Sequence, residues 1–377
     1  MNRPAAKGWC PGALRPMESG DGLLVRVRPR LGRLTVDQVE ALCAAANRHG
    51  SGLIDLTSRG NMQIRGVGHD AYDRLLVELE DAGLVDRDAT EESRNNIIVT
   101  PLWQPGDETV RIATELGARL SELPDLPSKF GFAVDAGDRP ILTTASADVR
   151  VERSTAGALI VRLDGASTGV LLTLERVFDH VIALGHWFVD TGGRSSRRRA
   201  RHPERPPADE GAAFEPPAAA VAALTPGPAA GGAVYGAPFG SMVATDLERL
   251  VRASGAVALR TTPWRLFVLE GGQTIASDTF IADPGDRLLD VAACPGAPHC
   301  PAATVDTRQL ARELAEAVTG PLHVSGCAKG CARPSSAPVT VVGRAGKFDI
   351  VRDGRAWDLP EITGLDPADV RSQLGND

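Results

Sequence analysis

The chain predicts an α+β fold built by internal duplication, and three features carry that expectation. Residues 22–84 run strand, helix, strand, strand, helix by hydrophobic periodicity, the order of half or more of a ferredoxin-like unit. Residues 237–272 repeat the order more weakly, as a duplication would. Beyond residue 285 the texture changes to two cysteine-bearing turns within a β-rich segment.

Each element has a local cause. "GLLVRVRPRLGR" (22–33) alternates apolar and basic side chains, as a strand with one buried face does. "TVDQVEALCAAANRHG" (35–50) follows, with Thr35 as N-cap, apolar positions at helical spacing and Gly50 as the stop. Cys43 falls on the apolar face and reads as core. "GLIDLTSRGNMQIRGV" (52–67) is two strands around a turn at Arg59–Asn61, and "HDAYDRLLVELEDAGL" is an amphipathic helix ending at Gly83. In the second copy a short strand precedes a helix opened by Thr245 and Asp246. The strands "AVALRTT" and "RLFVLEGG" then flank a turn at Pro263. A helix is expected after Thr307, then a strand, then hairpin signals at Gly343 and "RDGR".

The expected domains are a first half unit (14–88), a first α/β domain (89–190), a linker (191–232), a second half unit (233–284) and a second α/β domain (285–377). The linker is rich in Pro, Ala, Gly and Arg, a composition that cannot bury a core. Its arginines at 194–205 read first as a solvated surface run and second as a basic lid over an anionic ligand.

Composition excludes several classes. With 377 residues and 43% hydrophobic content the chain is long enough for two or three domains. A net charge of −7 argues against general nucleic-acid binding, which rests on phosphate neutralisation. Only four of the 41 basic residues are lysines: Lys7, Lys129, Lys329 and Lys347. The first residues, "MNRPAAKGWCPG", hold no apolar run resembling a signal peptide, and no apolar stretch approaches the roughly 20 residues of a membrane span. The expected location is therefore the cytoplasm, where structural disulfides are rare.

Clustered cysteines there point to metal or redox chemistry. Cys294 and Cys300 form C-x5-C; Cys327 and Cys331 form C-x3-C after an intervening helix and strand. The C-x-x-C redox pair is absent, and five intervening residues lie outside the usual zinc knuckle. Four thiolates on two turns suit a [4Fe–4S] cubane, each iron taking one cysteine. The neighbouring glycines and prolines let the backbone bend close to it. Zinc or free thiols are the other readings of the spacing. Cys10 reads as a thiol outside the set.

"ACPGAPHC…SGCAKGCARP" closely resembles the cysteine signature of the sulfite and nitrite reductase haemoproteins. The resemblance implies a duplicated architecture of ferredoxin-like half domains with a C-terminal iron–sulfur region. It also implies a [4Fe–4S] cluster against a tetrapyrrole, with Cys331 as the bridging cysteine. "LTSRGNMQIRGV" is similar to a second family stretch, matched at Arg59 and Gln63. "ESRNNIIV" is similar to a third, matched at Arg94. "LPSKFGFAVD" resembles a basic stretch matched at Lys129, with Gly131 where the reductases carry a second lysine. The chemistry is coherent on its own terms: a tetrapyrrole polycarboxylate needs several guanidinium forks. Arg59, Arg65, Arg94 and Lys129 are expected on strands or strand ends suited to that clamp, with Arg26 and Arg28 as weaker candidates.

A missing cation over the distal face argues against sulfite or nitrite reduction, which needs positive charge to bind the anion and deliver protons. "CPGALRPMESGDGLLVRVRPRLGRLT" and "LIDLTSRGNMQIRGV" look like the precorrin-3B synthases, a branch of that family in aerobic cobalamin synthesis. The resemblance implies an O2-dependent monooxygenase that converts precorrin-3A to precorrin-3B by C20 hydroxylation and γ-lactone formation. It implies a [4Fe–4S] cluster and a non-haem iron. The histidines (His49, His69, His180, His186, His202, His299, His323) show no 2-His-1-carboxylate pattern for that iron. No nicotinamide fingerprint is present, so an external ferredoxin or flavoprotein is the expected electron donor. The duplication supplies a pseudo-dimer within one chain, so a monomer is expected. No catalytic residue is assigned. The alternatives are a sirohaem sulfite or nitrite reductase, and a non-enzymatic electron-transfer or tetrapyrrole-binding protein.

Overall fold

The computed structural model describes residues 11–374 apart from 87, 139 and 207–210. Cys10, and with it the reading of that thiol, lies outside the described residues.

The two half units are five-stranded sheets, and each takes one strand from the other. The first sheet runs Met17–Ser19, Gly22–Val27, Met62–Val67, Leu53–Leu56 and then Ser241–Val243 from the second copy. The second runs Gly227–Ala229, Gly232–Gly236, Leu266–Glu270, Ala258–Thr261 and then Arg33–Thr35 from the first. Both exchanged strands pair antiparallel, Met242 opposite Ile54 and Leu34 opposite Leu259. The same contortion launches each. A single 3-10 turn, Arg30–Gly32 or Pro238–Gly240, holds a bulky residue at positive φ, Leu31 at 55° and Phe239 at 58°. A glycine follows at 66° or 75°, where the absence of Cβ removes the steric penalty.

Helices follow both exchanged strands. Val36–His49 begins in a capping box between Thr35 and Gln38. Ala244–Ser254 has no side-chain cap, so Thr245 and Asp246 sit inside its first turn. The two helices join both sheets in one core through Leu42, Cys43, Leu247 and Val251. Burial pushes the Cys43 thiol up to about 12, which makes it an uncharged core residue.

The outer sheets also repeat each other, which the sequence did not reveal. Ile97–Val99, Phe132–Asp135 and Val149–Arg153 are parallel neighbours, with helix Glu108–Ala118 between the first two in sequence. Val291–Ala293, Leu322–Ser325 and Ala337–Arg344 are likewise parallel, around helix Arg308–Ala317. Antiparallel strands and a closing helix, Leu174–Asp190 or Pro367–Leu374, complete each. The hairpin of Ala337–Arg344 with Lys347–Gly354 turns at Ala345–Gly346, two residues past Gly343, and "RDGR" ends the second of these strands and enters the connection to its antiparallel partner Ile362–Leu365.

Residues 191–232 hold more structure than their composition suggests. They include helix Gly193–Ser196, a turn at Arg199–Arg201, and strands Phe214–Glu215 and Gly227–Ala229 that edge two of the sheets. Edge strands of two or three residues are too short to show a period of two in sequence. Among the described residues no helix is long and apolar enough to cross a membrane.

Candidate functional site

Cys294 follows the strand Val291–Ala293 directly, and Cys327 follows Leu322–Ser325 at the neighbouring strand end. The paired parallel ends bring the two cysteine turns together. Burial raises the Cys294 thiol pKa, the amides of Gly326 and Gly296 lower it, and the nearby Cys300 and Cys327 raise it. The amide of Gly326 donates to Cys294 Sγ at 3.1 Å. A Cβ on Gly326 would lie 2.6 Å from Ala303 Cβ and 3.5 Å from Cys294 Sγ. Glycine is required there by close approach. Soft sulfur donors on two adjoining turns, with an amide aimed at one sulfur, fit a cluster ligated by thiolates. Among the described residues no group of three or more His, Cys, Asp or Glu side chains is placed to hold a metal ion, so the four cysteines are not gathered into one site here and the non-haem iron gains no assigned ligands.

A cleft of about 760 Å³ opens beside these turns, lined by Cys294 and Cys331 from the C-terminal domain and by residues of both half units. Arg26, Arg65, Arg265, Arg308 and Arg333 line it, against one carboxylate, Asp55. In a chain of net charge −7 that local excess selects for a polyanion. Phe239 and Trp264 add apolar surface. Arg265 takes φ 62° and donates to the carbonyls of Val291 and Leu289 at 2.5 and 2.8 Å. Burial, and then the neighbouring Arg333, lower its pKa. Arg308 donates to Ser241 Oγ at 2.9 Å and faces Asp55 at 3.5 Å, while its buried Nε has no partner among the described residues.

The expected anion ligands divide. Gln63 lines the cleft and accepts from Arg26 Nη2 at 3.1 Å. Arg59 stands beside it, next to the lining residue Ser58, and donates to the carbonyl of Lys129 at 2.5 Å. Lys129 itself lines a separate pocket. Arg94 is not on a strand: it ends the short helix Ala89–Arg94 and donates to the carbonyls of Leu120 and Ser121, away from the cleft lining. The run "ATEESR" caps a helix through Asp88, a signal outweighed in the sequence by the apolar residues that follow.

Arg65 is held by the protein itself. It lines the cleft, but Nε and Nη2 are held by Asp21 at 3.1 Å each and Nη1 by Asp55 at 2.9 Å. Burial works against its charge, yet the two carboxylates raise its pKa. Its Nη2 also reaches the carbonyl of His299, at 3.2 Å, which Ser19 Oγ and the Gly20 amide bond at 2.8 and 3.3 Å. His299 Nδ1 lies 3.2 Å from Asp21. Arg65 thus pins the residue before Cys300 to the first hairpin.

At Gly131 a Cβ would meet Asn96 Nδ2 at 3.0 Å and the Asn96 carbonyl at 3.1 Å. At the position expected to carry a second cation in the reductases, a side chain would crowd Asn96 here. Arg265, Arg308 and Arg333 were missed by sequence reasoning. Arg308 reads as an ordinary first-turn helix residue, and nothing local signals that the exchanged strand Ser241–Val243 faces it.

Residues 15–82 match the nitrite/sulfite reductase ferredoxin-like half domain. A precorrin-3B synthase of Sinorhizobium sp is 32% identical, covering 94% of this chain and 84% of that protein. The chain belongs to the precorrin-3B synthase family. A ferredoxin–nitrite reductase of Synechococcus elongatus is 23% identical over 87% of this chain and 77% of its own length. The structure of the Mycobacterium tuberculosis NirA protein superposes with a TM-score of 0.64 at 18% identity, over 94% of this chain and 79% of that one. This chain therefore shares its overall fold with the NirA protein.

Proposed function

We propose that this chain catalyses the O2-dependent conversion of precorrin-3A to precorrin-3B, inserting oxygen at C20 and closing a γ-lactone. The observation that carries the reading is the cleft, lined by Arg26, Arg265, Arg308 and Arg333, by the ion-paired Arg65 and Asp55, and by two of the four cysteines of the paired turns. A tetrapyrrole polycarboxylate matches it in charge, and Phe239 and Trp264 match the faces of a macrocycle.

The residues divide the work. Arg308, Arg265 and Arg333 hold substrate carboxylates, and Arg26 orients Gln63 toward the same space. Cys294, Cys300, Cys327 and Cys331 would hold a [4Fe–4S] cluster, which when bound supplies single electrons for O2 chemistry. Arg65 and Asp21 fix the loop that precedes Cys300. A glycine at position 131, where the resemblance places a second cation, supports this reading over anion reduction. An external ferredoxin or flavoprotein would supply the electrons.

The test is anaerobic purification, iron and sulfide analysis, and incubation with precorrin-3A, a reductant and O2. Product heavier by one oxygen atom is expected; no oxygen gain by a cluster-replete protein would refute the proposal. Sirohaem absorption in the purified protein would transfer the assignment to the reductase.

A further inference from the structure

A second cationic pocket lies outside the cleft. It encloses about 250 Å³ and is lined by residues 125–129 together with Arg194 and Arg197 from the arginine-rich segment. Arg194 bonds the Asp125 carbonyl at 3.2 Å and faces its carboxylate at 3.6 Å. Among the described residues, Lys129 Nζ and the Arg197 guanidinium have no hydrogen-bond or ion-pair partner. The pocket therefore holds uncompensated positive charge.

Its placement is firm. Asp148, fully buried, accepts from Arg198 Nε at 2.8 Å and from the Arg199 amide at 2.7 Å through one oxygen. Its other oxygen accepts from the Gly131 amide at 3.0 Å. One carboxylate thus ties the arginine-rich segment to the loop that carries Lys129. Arg197, adjacent to that anchor, takes φ 64°. That left-handed residue closes the helix Gly193–Ser196, a common way for a helix to end, and its amide bonds the Gly193 carbonyl. Arg59 stands between the pocket and the cleft, beside Ser58 on one side and bonded to the Lys129 carbonyl on the other.

We propose that Lys129 and Arg197 form a binding site for one carboxylate arm of the tetrapyrrole whose core occupies the cleft. The inference rests on the proposed substrate class and deepens it: the arginine-rich segment is part of the substrate site. Arg197 sets the far end of that site, and Arg59 separates it from the cleft.

The test uses the full chain and uroporphyrin III, an octacarboxylate tetrapyrrole, with binding read by fluorescence quenching and stability by thermal melting. Arg197→Gly removes the charge and relieves the left-handed strain together. Binding is expected to weaken roughly tenfold while the melting temperature holds or rises. A structural role for Arg197 would lower both. Lys129→Gln should weaken binding similarly, which keeps the proposal testable whatever Arg197→Gly does to folding. Unchanged affinity in both variants overturns the proposal; if Arg308→Gln still loses affinity, the cleft reading survives alone. Failure of the wild type to bind uroporphyrin III overturns both. Displacement of uroporphyrin III by inorganic phosphate at equal concentration would assign the pocket to a free anion and also overturn the proposal.

Discussion

Arg65 shows how a side chain expected to hold substrate can instead hold the protein together. Its side chain is 3% exposed, and its carboxylate partners Asp21 and Asp55 are 9% and 15% exposed. Removing one member of a buried ion network leaves the others charged and unpaired, at a cost of about 3–5 kcal/mol. Arg65→Ala should therefore lower the melting temperature sharply, whereas Arg308→Ala, at the cleft surface, should affect ligand affinity first. Equal melting temperatures for the two variants would contradict this division. His323 is a different case. It is fully buried, neither ring nitrogen has a hydrogen-bond partner among the described residues, and burial, then Arg333, lower its pKa to about 4. The unfolded chain binds this proton near pH 6.5, so the neutral ring's contribution is complete above that pH and is lost as pH falls toward 4. The loss amounts to roughly 3 kcal/mol. His323→Leu should flatten the acid limb of the stability profile, and an unchanged limb in denaturant titrations would disprove it.

Elements show why part of the site was legible and part was not. The cysteine turns were readable because each lies between strong periodic segments and the residue types themselves carry the chemistry. The strand pairing that brings Val291–Ala293 beside Leu322–Ser325 follows from a strand–helix–strand order. The cleft cations were not readable, because Arg265, Arg308 and Arg333 reach one space only through tertiary packing. Arg94 misled because a six-residue helix is too short for its period to outweigh the apolar run after it. At the turn itself, Gly326 leaves no space for a methyl group between Ala303 and Cys294. Gly326→Ala should cost bound iron and sulfide while the far-ultraviolet dichroism stays near that of the wild type. Full retention of both would show that the turn can yield.

For the whole molecule, duplication was legible in the half units and hidden in the outer sheets, whose two copies share element order without shared motifs. The strand exchange was invisible from sequence, since Arg33–Thr35 and Ser241–Val243 are three residues each and say nothing of their partners. Yet the exchange decides how the halves stand to one another. Expressed alone, residues 11–206 would lack the strand that pairs with Leu53–Leu56 and the helix that completes the core over Leu42 and Cys43. Such a fragment should be insoluble or molten, as dye binding and near-ultraviolet dichroism would show; a cooperative melting transition would refute the expectation.

The exchanged strands also set the order of events during synthesis. Leu34 waits for Leu259, and Ile54 for Met242, so neither half-sheet can close until most of the chain has left the ribosome. Contacts of such sequence separation make folding slow, and until then Leu53–Leu56 presents an open, apolar edge of the kind that invites aggregation.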